Sequence, residues 1–425
     1  MSDSNASTSR PPTTDLLAAL REAATIRLRC ASITQAVADG RSGWFVLDRS
    51  RLPGAADRVA ALTLQRFPGL DIPLHSRWRH FEAGGADRKA ELDRLLAGRS
   101  TAEIARAQFD LAVVSVLLDA GAGPAWRYRE SLGGGEREYS RSEGLGVACF
   151  RAFVAGVFSN DPADPLRADA ATLQRIDASV LRNVFQVSPG NPMVGLEGRA
   201  GLLSRLGEVL AGEAGRSGFE ARPGLLFDRL VADGRSEIGA AALLGEVLRA
   251  LGPIWRSGSV ITGLPAGDVW PHRFAGAARA HGTDTTTPGW VPFHKLSQWL
   301  CYSLIEPLQW AGIRVTGLDA LTGLPEYRNG GLLLDSGVIV ARKARDLAQP
   351  WKPGDELVIE WRALTVTLLD ELAALVRQRL GKTAVELPLA CILEGGTWAA
   401  GRQIALEKRS EGAPPLQIES DGTVF

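Results

Sequence analysis

One nine-residue stretch of this chain contains four consecutive side chains that can transfer protons or bind a polar ligand. Residues 323–331 read Gly-Leu-Pro-Glu-Tyr-Arg-Asn-Gly-Gly, so Glu326, Tyr327, Arg328 and Asn329 supply a carboxylate, a phenol, a guanidinium and an amide in succession. Apolar segments flank the stretch on both sides, which is typical of an apolar pocket with a few convergent polar groups. Burial there would disfavour the ionised form of the carboxylate, and a neighbouring cation would oppose that effect.

The polar residues in and around this stretch each permit two interpretations. A desolvated Glu326 can stabilise an oxocarbenium-like sugar or activate water at it. It can equally belong to a structural turn in which hydrogen bonds hold Glu326 and Arg328. His294 and Lys295 either bind a phosphate or lie on the surface, and Arg362 either clamps a phosphate or extends to solvent. The residue types alone leave both interpretations open.

Two clusters of aromatic and guanidinium side chains form a further candidate ligand site. Residues 77–81 read Arg-Trp-Arg-His-Phe around Trp78, and residues 126–129 read Trp-Arg-Tyr-Arg. Such clusters can stack a planar ligand, or they can form cation–π contacts at the edge of a helical bundle. The sequence does not decide between the two.

Composition and motifs argue against several classes of protein. The 425 residues carry 48 Lys and Arg against 48 Asp and Glu, and a zero net charge disfavours a dedicated duplex nucleic-acid binder. The chain contains no GxxxxGK[ST], GxSxG or HExxH motif, so no phosphate loop, hydrolase elbow or zinc helix is predicted. The five histidines lack ligand spacing, and we expect no metal and no other cofactor.

The cysteines and apolar runs indicate a cytoplasmic protein. The four cysteines are far apart and mostly in apolar surroundings, which predicts buried, reduced thiols. The most apolar run, residues 111–118, is too short to span a bilayer, so we expect no membrane association. Residues 1–14 are rich in Ser, Thr and Pro and predict a disordered tail without a signal peptide.

Helical periodicity predicts a mainly α fold with small peripheral β elements. Apolar residues recur at three- and four-residue spacing over residues 16–37, 104–120, 142–158, 170–187, 195–211 and 358–380. Strand patterns are short, the best being residues 44–47 and 338–342, and Asn329-Gly330 is a hairpin-type dipeptide that no alternating strand precedes. We expect one large helical domain over residues 15–425, with residues 211–224 as the candidate point of subdivision.

Long stretches of the chain resemble the fungal and bacterial uracil-catabolism family, often labelled Urc/Urg-like. The matching stretches are residues 110–130, 141–153, 294–312 and 323–338, and the resemblance covers nearly all of the chain after Asp15. It implies a late step of uracil degradation, in which a ribosylurea-type compound is split to urea and ribose or its phosphate.

A more distant resemblance is to the queuosine 5′-phosphate N-glycosylase family of salvage proteins. Residues 293–298, 324–328 and 360–363 resemble, in the same order, that family's FYKRAQ, ADYRxPQ and EIR landmarks, and residues 73–78 resemble its FxFW segment. The resemblance implies an all-α fold related to helical DNA glycosylases and hydrolysis of the C1′–N bond of a ribose 5-phosphate compound.

The chain departs from this second family at both of its carboxylates. Glu326 stands where the family has an Asp, and a second family Asp corresponds to Ser303, so its function is missing or moved to Glu306. The resemblance then implies a pocket for a leaving group smaller than a deazaguanine, which urea would satisfy.

The leading hypothesis is an N-glycosidase-like hydrolase that acts on ribosylurea or its 5′-phosphate. A non-catalytic ribosylurea-binding partner of another enzyme of the route and a nucleic-acid glycosylase are the alternatives. We expect a small ribosyl substrate, with a pathway enzyme as a candidate partner. The candidate residues are Glu326 and His294 for catalysis, and Tyr327, Arg328, Asn329, Lys295, Arg362 and Trp78 for substrate binding.

Overall fold

Helices make up most of this protein, whose computed structural model describes residues 13–255, 258–261, 263–276 and 289–419. Helix α6 shows why the chain folds this way: Ser100 and Glu103 form a capping box at its start, and apolar residues cover nearly all its faces. The helices are α1 Thr13–Leu20, α2 Ala23–Ala38, α3 Leu52–Arg66, α4 Arg77–Phe81, α5 Arg88–Leu95, α6 Thr101–Leu117, α7 Arg141–Val154, α8 Ala170–Leu173, α9 Ala178–Val184, α10 Leu196–Ser217, α11 Leu225–Val231, α12 Ala240–Leu251, α13 Lys295–Trp310, α14 Tyr327–Asp335, α15 Glu356–Leu380, α16 Leu389–Ile392 and α17 Trp398–Lys408.

Strands are short and occur in pairs, and in the part of the chain that the structure describes no sheet has more than two of them. Two pairs are parallel, β4 with β9 and β11 with β12, and the others are antiparallel. The strands are β1 Phe45–Leu47, β2 Tyr128–Leu132, β3 Gly135–Tyr139, β4 Glu237–Gly239, β5 Val260–Ile261, β6 Leu264–Pro265, β7 Val269–Pro271, β8 Trp290–Pro292, β9 Arg314–Thr316, β10 Ile339–Ala341, β11 Pro350–Trp351 and β12 Gln417–Ile418. The predicted mainly α fold with small β elements is confirmed.

The long helix α15 lies at the centre of the packing. It contacts α2, α3 and α14, while α13 packs on α6, and α14 packs on α17. Its predicted apolar stripe is buried at Trp361, Leu364, Leu368 and Leu372. Burial of each such side chain stabilises the fold by about 1.5–3 kcal/mol. The helices that carry residues 294–312 and 323–338 are therefore fixed to one core.

Several predicted elements differ from the structure in their boundaries. The helix expected over residues 16–37 is interrupted between α1 and α2. The one expected over residues 170–187 is two short helices, because Asp177 caps a new helix that begins at Ala178. Helix α10 continues to Ser217, into the region of the candidate subdivision. The tail expected over residues 1–14 overlaps α1 by two residues, and residues 1–12 lie outside the described part of the chain.

The Asn329-Gly330 dipeptide lies inside helix α14 and does not form a hairpin. A Cβ atom at Gly330 would lie 2.2 Å from Cζ2 of Trp361, so the glycine permits α14 and α15 to approach closely. The two predicted strands, by contrast, are present as β1 and β10, and they pair antiparallel with Phe45 opposite Ala341.

The four cysteines are buried and form no disulfide. Burial raises the pKa of Cys149 to about 11 and that of Cys391 to about 12, so both thiols are protonated near neutral pH. Within the described residues, no helix has the length and apolar character needed to cross a lipid bilayer.

Candidate functional site

A cavity of about 410 Å³ lies where the N-termini of α13 and α14 meet the end of α6 and the C-terminal segment. Four of the residues predicted from the sequence line it: Lys295, Glu326, Tyr327 and Arg328. Its volume lies within the range usual for small-molecule sites. A more open groove of about 840 Å³ shares Pro124, Arg141 and Trp398 with it, which gives the cavity a route to solvent.

Glu326 is both the N-cap of α14 and part of the cavity wall. Its Oε2 accepts a hydrogen bond from the backbone N of Arg328 at 2.8 Å, and its Oε1 accepts one from the backbone N of Asn329 at 2.6 Å. Burial raises the pKa of Glu326, although these bonds and the charge of Lys295 oppose the rise. The two interpretations of Glu326 are thus compatible, and its carboxylate is a stronger base than an ordinary glutamate.

Lys295 begins α13 and supplies a partly buried ammonium group to the cavity. Burial lowers the pKa of Lys295 to about 8, and the charge of Arg362 lowers it further, while Asp268 and Glu326 oppose the change. The backbone N of Lys295 donates to Oδ2 of Asp268 at 3.0 Å. The ammonium group therefore changes its charge in a pH range close to neutral.

Arg362 lies behind the cavity rather than in its wall. Its Nη1 and Nη2 donate to Oδ1 and Oδ2 of Asp268 at 2.7 and 2.6 Å, and its guanidinium lies 4.0 Å from the ring centroid of Phe293. Burial alone would raise the pKa of Asp268, but Arg362 and the hydrogen bonds hold it well below its usual range. This buried pair orders the turn before α13, so Arg362 acts on the cavity through the backbone of Lys295.

Tyr327 and Arg328 follow Glu326 and face the same cavity. Arg328 is 2% exposed, its Nη1 donates to the carbonyl of Gly412 at 2.8 Å, and its guanidinium lies 4.9 Å from the ring centroid of Tyr327. Asn329 points elsewhere: its amide donates to the carbonyl of Leu324 at 3.1 Å and accepts from Thr397 at 2.8 Å. Asn329 therefore fixes the helix start and does not line the cavity.

The structure does not bring His294 or Trp78 to the cavity. His294 has a left-handed backbone (φ 48°), and its Nε2 hydrogen-bonds the carbonyl of Leu20 at 2.9 Å, against α1. Burial lowers the pKa of His294, so its ring is neutral near pH 7. Trp78 is 2% exposed, and its Nε1 donates to the carbonyl of Ser303 at 2.9 Å. Both rings have structural contacts in place of the predicted roles.

The cavity contains a second carboxylate, which comes neither from position 303, where this chain has a serine, nor from Glu306. The Ser303 hydroxyl bonds backbone atoms, and Glu306 accepts from Arg79 at 2.7 Å outside the cavity wall. Asp119, just after α6, lines the cavity, and its carboxylate accepts from Arg77 at 2.6 Å and from Ser142 at 3.0 Å. Burial raises the pKa of Asp119.

The sequence did not single out Asp119, His75, Arg141 or Trp398 as candidate site residues. The available signal was position, because Asp119 directly follows the most apolar run, residues 111–118, and precedes the helix-stopping residues 121–124. His75, Arg141 and Trp398 also line the cavity, and they come from segments far apart in the sequence. In the described part of the chain, no group of three or more His, Cys, Asp or Glu side chains could hold a metal ion.

The fold and the cavity define a mainly α protein with a largely apolar cavity of small-molecule size, into which several polar side chains converge. The model of the protein family of unknown function DUF1688 matches residues 19–425, and the chain belongs to that family. It is 38% identical to "Protein urg3" of Schizosaccharomyces pombe over 421 residues, which cover 97% of this chain and 100% of the relative. It is also 38% identical to "Uracil catabolism protein 4" of Lachancea kluyveri over 416 residues, 91% of this chain and 93% of the relative. The predicted family is therefore confirmed, while the more distant resemblance stays a prediction.

Proposed function

We propose that this protein acts in uracil catabolism as an N-glycosidase-like hydrolase, which cleaves the C1′–N bond of ribosylurea or of its 5′-phosphate. Membership of the pathway is supported by the name of the Lachancea kluyveri relative, which matches this chain over nearly its whole length. The reaction itself is supported by the chemistry of the cavity. Its main support is Glu326, a partly buried carboxylate that is held at a helix start and faces a cavity of small-molecule size.

In the proposed reaction, the C1′–N bond breaks, and its electron pair leaves with the urea nitrogen, which gains a proton. A water molecule adds to C1′ of the oxocarbenium-like ribosyl group and gives its proton to Glu326. Because burial raises the pKa of Glu326, the carboxylate is suited to this task. While it is ionised, it also stabilises the positive charge that develops on the ribosyl ring. The products are urea and ribose, or ribose phosphate.

The other cavity residues would bind the ribosyl group. Lys295 and Arg328 offer N–H donors to hydroxyl or phosphate oxygens, and Tyr327 offers a phenol beside them. Holding the substrate in one orientation lowers the entropic part of the barrier. His294 and Arg362 have no direct part in this proposal, because the ring of the first bonds Leu20 and the guanidinium of the second bonds Asp268.

The test is incubation of purified protein with ribosylurea and, separately, with its 5′-phosphate, followed by measurement of urea. Release from either compound supports the proposal, and comparison of the two identifies the substrate. No release by a folded protein from either compound would contradict it. Calorimetric binding of ribosylurea without urea release would instead support the non-catalytic alternative.

A further inference from the structure

Two histidines line the cavity, and only one of them is oriented by a carboxylate. Nδ1 of His75 lies 2.8 Å from Oε2 of Glu394, and the two side chains are 14% and 15% exposed. His80 has no such support: within the described residues its Nδ1 is buried without a hydrogen-bond partner, and burial places its pKa well below the usual value. His80 is therefore neutral near pH 7, whereas His75 has the geometry of an oriented acid–base group.

The backbone around the pair holds both side chains in place. The backbone N of His75 donates to the carbonyl of Ala390 at 3.1 Å. Glu394 belongs to a π-helical turn, Leu393–Thr397, and such turns are frequent at functional sites. The turn is pressed against α3, because a Cβ atom on Gly396 would lie 2.5 Å from Oγ1 of Thr63. The contact with α3 thus determines where Glu394 meets the ring.

The charges around Glu394 keep it ionised. Burial would raise the pKa of Glu394, but its hydrogen bond with His75 and the charges of His75, Arg66 and Arg79 lower it overall. Arg66 reaches the carboxylate from α3, with 3.4 Å between its Nη2 and Oε1. An ionised Glu394 requires a proton on Nδ1 of His75, which leaves Nε2 as the ring atom for a ligand. Among the described residues, Nε2 has no hydrogen-bond partner.

We infer that His75 is the general acid that protonates the departing urea nitrogen, and that Glu394 is the positioning residue that orients its ring. This inference rests on the proposed function and adds the proton donor that His294 cannot supply. As the C1′–N bond breaks, the Nε2–H proton moves to the nitrogen and His75 becomes neutral. Glu326 receives the proton of the attacking water, and release of that proton to solvent with uptake of another by His75 restores both groups. His75 and Glu326 line the same cavity, and the charge of His75 lowers the pKa of Glu326.

The test compares a poor leaving group with a good one. Urea departs slowly without a proton, whereas 4-nitrophenolate departs readily as an anion, so both ribosylurea and 4-nitrophenyl β-ribofuranoside serve as substrates. We expect His75→Asn to lower kcat/KM for ribosylurea by about 10²- to 10⁴-fold, the usual contribution of general acid catalysis, and that for the nitrophenyl riboside by less than about tenfold. Glu326→Gln should lower both.

Glu394→Gln should lower the ratio of kcat/KM for ribosylurea to kcat/KM for the nitrophenyl riboside, as His75→Asn does, but by a smaller factor. Glu306→Gln is the matched control, since Glu306 is a neighbouring carboxylate that also binds an arginine but lies outside the cavity wall. It should leave the ratio of the two kcat/KM values unchanged. Because the ratio is internal to each variant, partial loss of folded protein does not alter it.

Urea release by the wild type with an unchanged ratio of the two kcat/KM values in His75→Asn would overturn the inference alone. No urea release by the folded wild type would overturn the proposed function and this inference together.

Discussion

Glu326 shows how one side chain can serve the fold and the cavity at once. Each of its oxygens accepts one backbone N–H at the start of α14, and the same carboxylate lines the cavity. A carboxylate at a helix N-terminus is also stabilised by the helix dipole. A substitution at this position can therefore reduce both the stability that the helix cap provides and the catalytic activity, and the two effects need separate measurements.

Glu326→Gln is expected to abolish most turnover while leaving a folded protein. The amide oxygen of glutamine can still accept one of the two N–H groups, so we expect the free energy of unfolding to fall by about 1 kcal/mol. Turnover of ribosylurea should fall by at least about 10²-fold, because the amide cannot accept a proton from water. Urea release and chemical denaturation provide the two measurements.

Glu326→Asp is the matched control for the cap. Aspartate is a favourable N-cap residue, so stability should stay within about 0.5 kcal/mol of the wild type. Its shorter side chain withdraws the carboxylate from the cavity, and activity should still fall. If Glu326→Asp retained full activity, the position of the carboxylate would not matter, and the proposed role of Glu326 would be wrong.

Lys295 gives the cavity a pH dependence of its own. Burial lowers the pKa of Lys295 to about 8, so the ammonium charge is present below that pH and is lost above it. We expect KM for ribosylurea or its phosphate to rise several-fold between about pH 7 and about pH 9, because the deprotonated amine is a weaker donor without charge. Lys295→Arg should remove the rise, since arginine stays charged, and Lys408→Arg on the exposed end of α17 should retain it. A KM that rises equally in Lys295→Arg would assign the effect to another group.

Among the elements, those with strong local periodicity were predictable. Helix α15 was expected over residues 358–380 and extends from Glu356 to Leu380, because its apolar stripe recurs at helical spacing. The sequence predicts one helix over residues 170–187 in place of the short helices α8 and α9, because the apolar pattern continues across the break. The cap that Asp177 provides acts only locally. Helix α14 was not predicted, because Gly330 and Gly331 weaken its helical pattern. Gly330 is present for a tertiary reason, the close approach of α14 to Trp361 of α15.

The candidate site likewise has a part that could be predicted from local sequence and a part that could not. Glu326, Tyr327 and Arg328 are consecutive, so their concentration of polar groups was visible in the sequence. His75 and Asp119 were not, because only tertiary packing brings them to the cavity. His294 illustrates the converse: it precedes a cavity residue, yet its left-handed backbone turns its ring toward Leu20.

Gly330→Ala tests the contact between α14 and α15. The added Cβ would lie 2.2 Å from Cζ2 of Trp361 and 2.8 Å from Oγ1 of Thr365, which forces the helices apart. We expect a loss of about 1–3 kcal/mol in unfolding free energy, the usual cost of overpacking, and a lower activity because α14 carries Glu326 at its start.

Gly215→Ala is the matched control for that substitution. Gly215 lies in α10, and an added Cβ there would meet no atom within 4 Å, so alanine should stabilise the helix by about 0.5–1 kcal/mol. Denaturation of the two variants side by side measures both effects. A Gly330→Ala variant as stable as Gly215→Ala would show that α14 and α15 are not as closely packed as described.

At the scale of the whole molecule, the cavity depends on nearly the entire chain. Its wall includes residues from His75 to Ile418, and Ile418 belongs to β12, which pairs with β11.

The balanced charge of the chain disfavours a basic surface that would bind the phosphates of a nucleic acid, so we expect no DNA binding even at low salt. An electrophoretic mobility-shift assay with single- and double-stranded DNA tests for binding. Retardation of either DNA at low salt would support the nucleic-acid glycosylase alternative.

The pH dependence of stability should report a buried carboxylate on α15. Glu360 is fully buried, bonds Ser42, and lies 3.8 Å from Nε2 of His272, and burial raises the pKa of Glu360 to about 7. Between about pH 4.3, the ordinary glutamate value, and pH 7, the folded chain keeps a proton that the unfolded chain has lost. Stability from this group therefore falls as pH rises through that window, by as much as ~3 kcal/mol.

Glu360→Gln removes this titration, so its unfolding free energy relative to the wild type should rise between about pH 5 and about pH 8. Burial lowers the pKa of His272 to about 4. Its contribution therefore makes stability rise with pH between about pH 4 and 6.5, which is opposite to the effect of Glu360. That contribution is present in both proteins and largely cancels in their difference. Glu208→Gln, on the exposed face of α10, should differ from the wild type by less than ~0.5 kcal/mol at every pH. Urea denaturation across the pH range measures these differences in unfolding free energy. If the difference between Glu360→Gln and the wild type did not change with pH, burial would not disfavour the ionised form of this carboxylate.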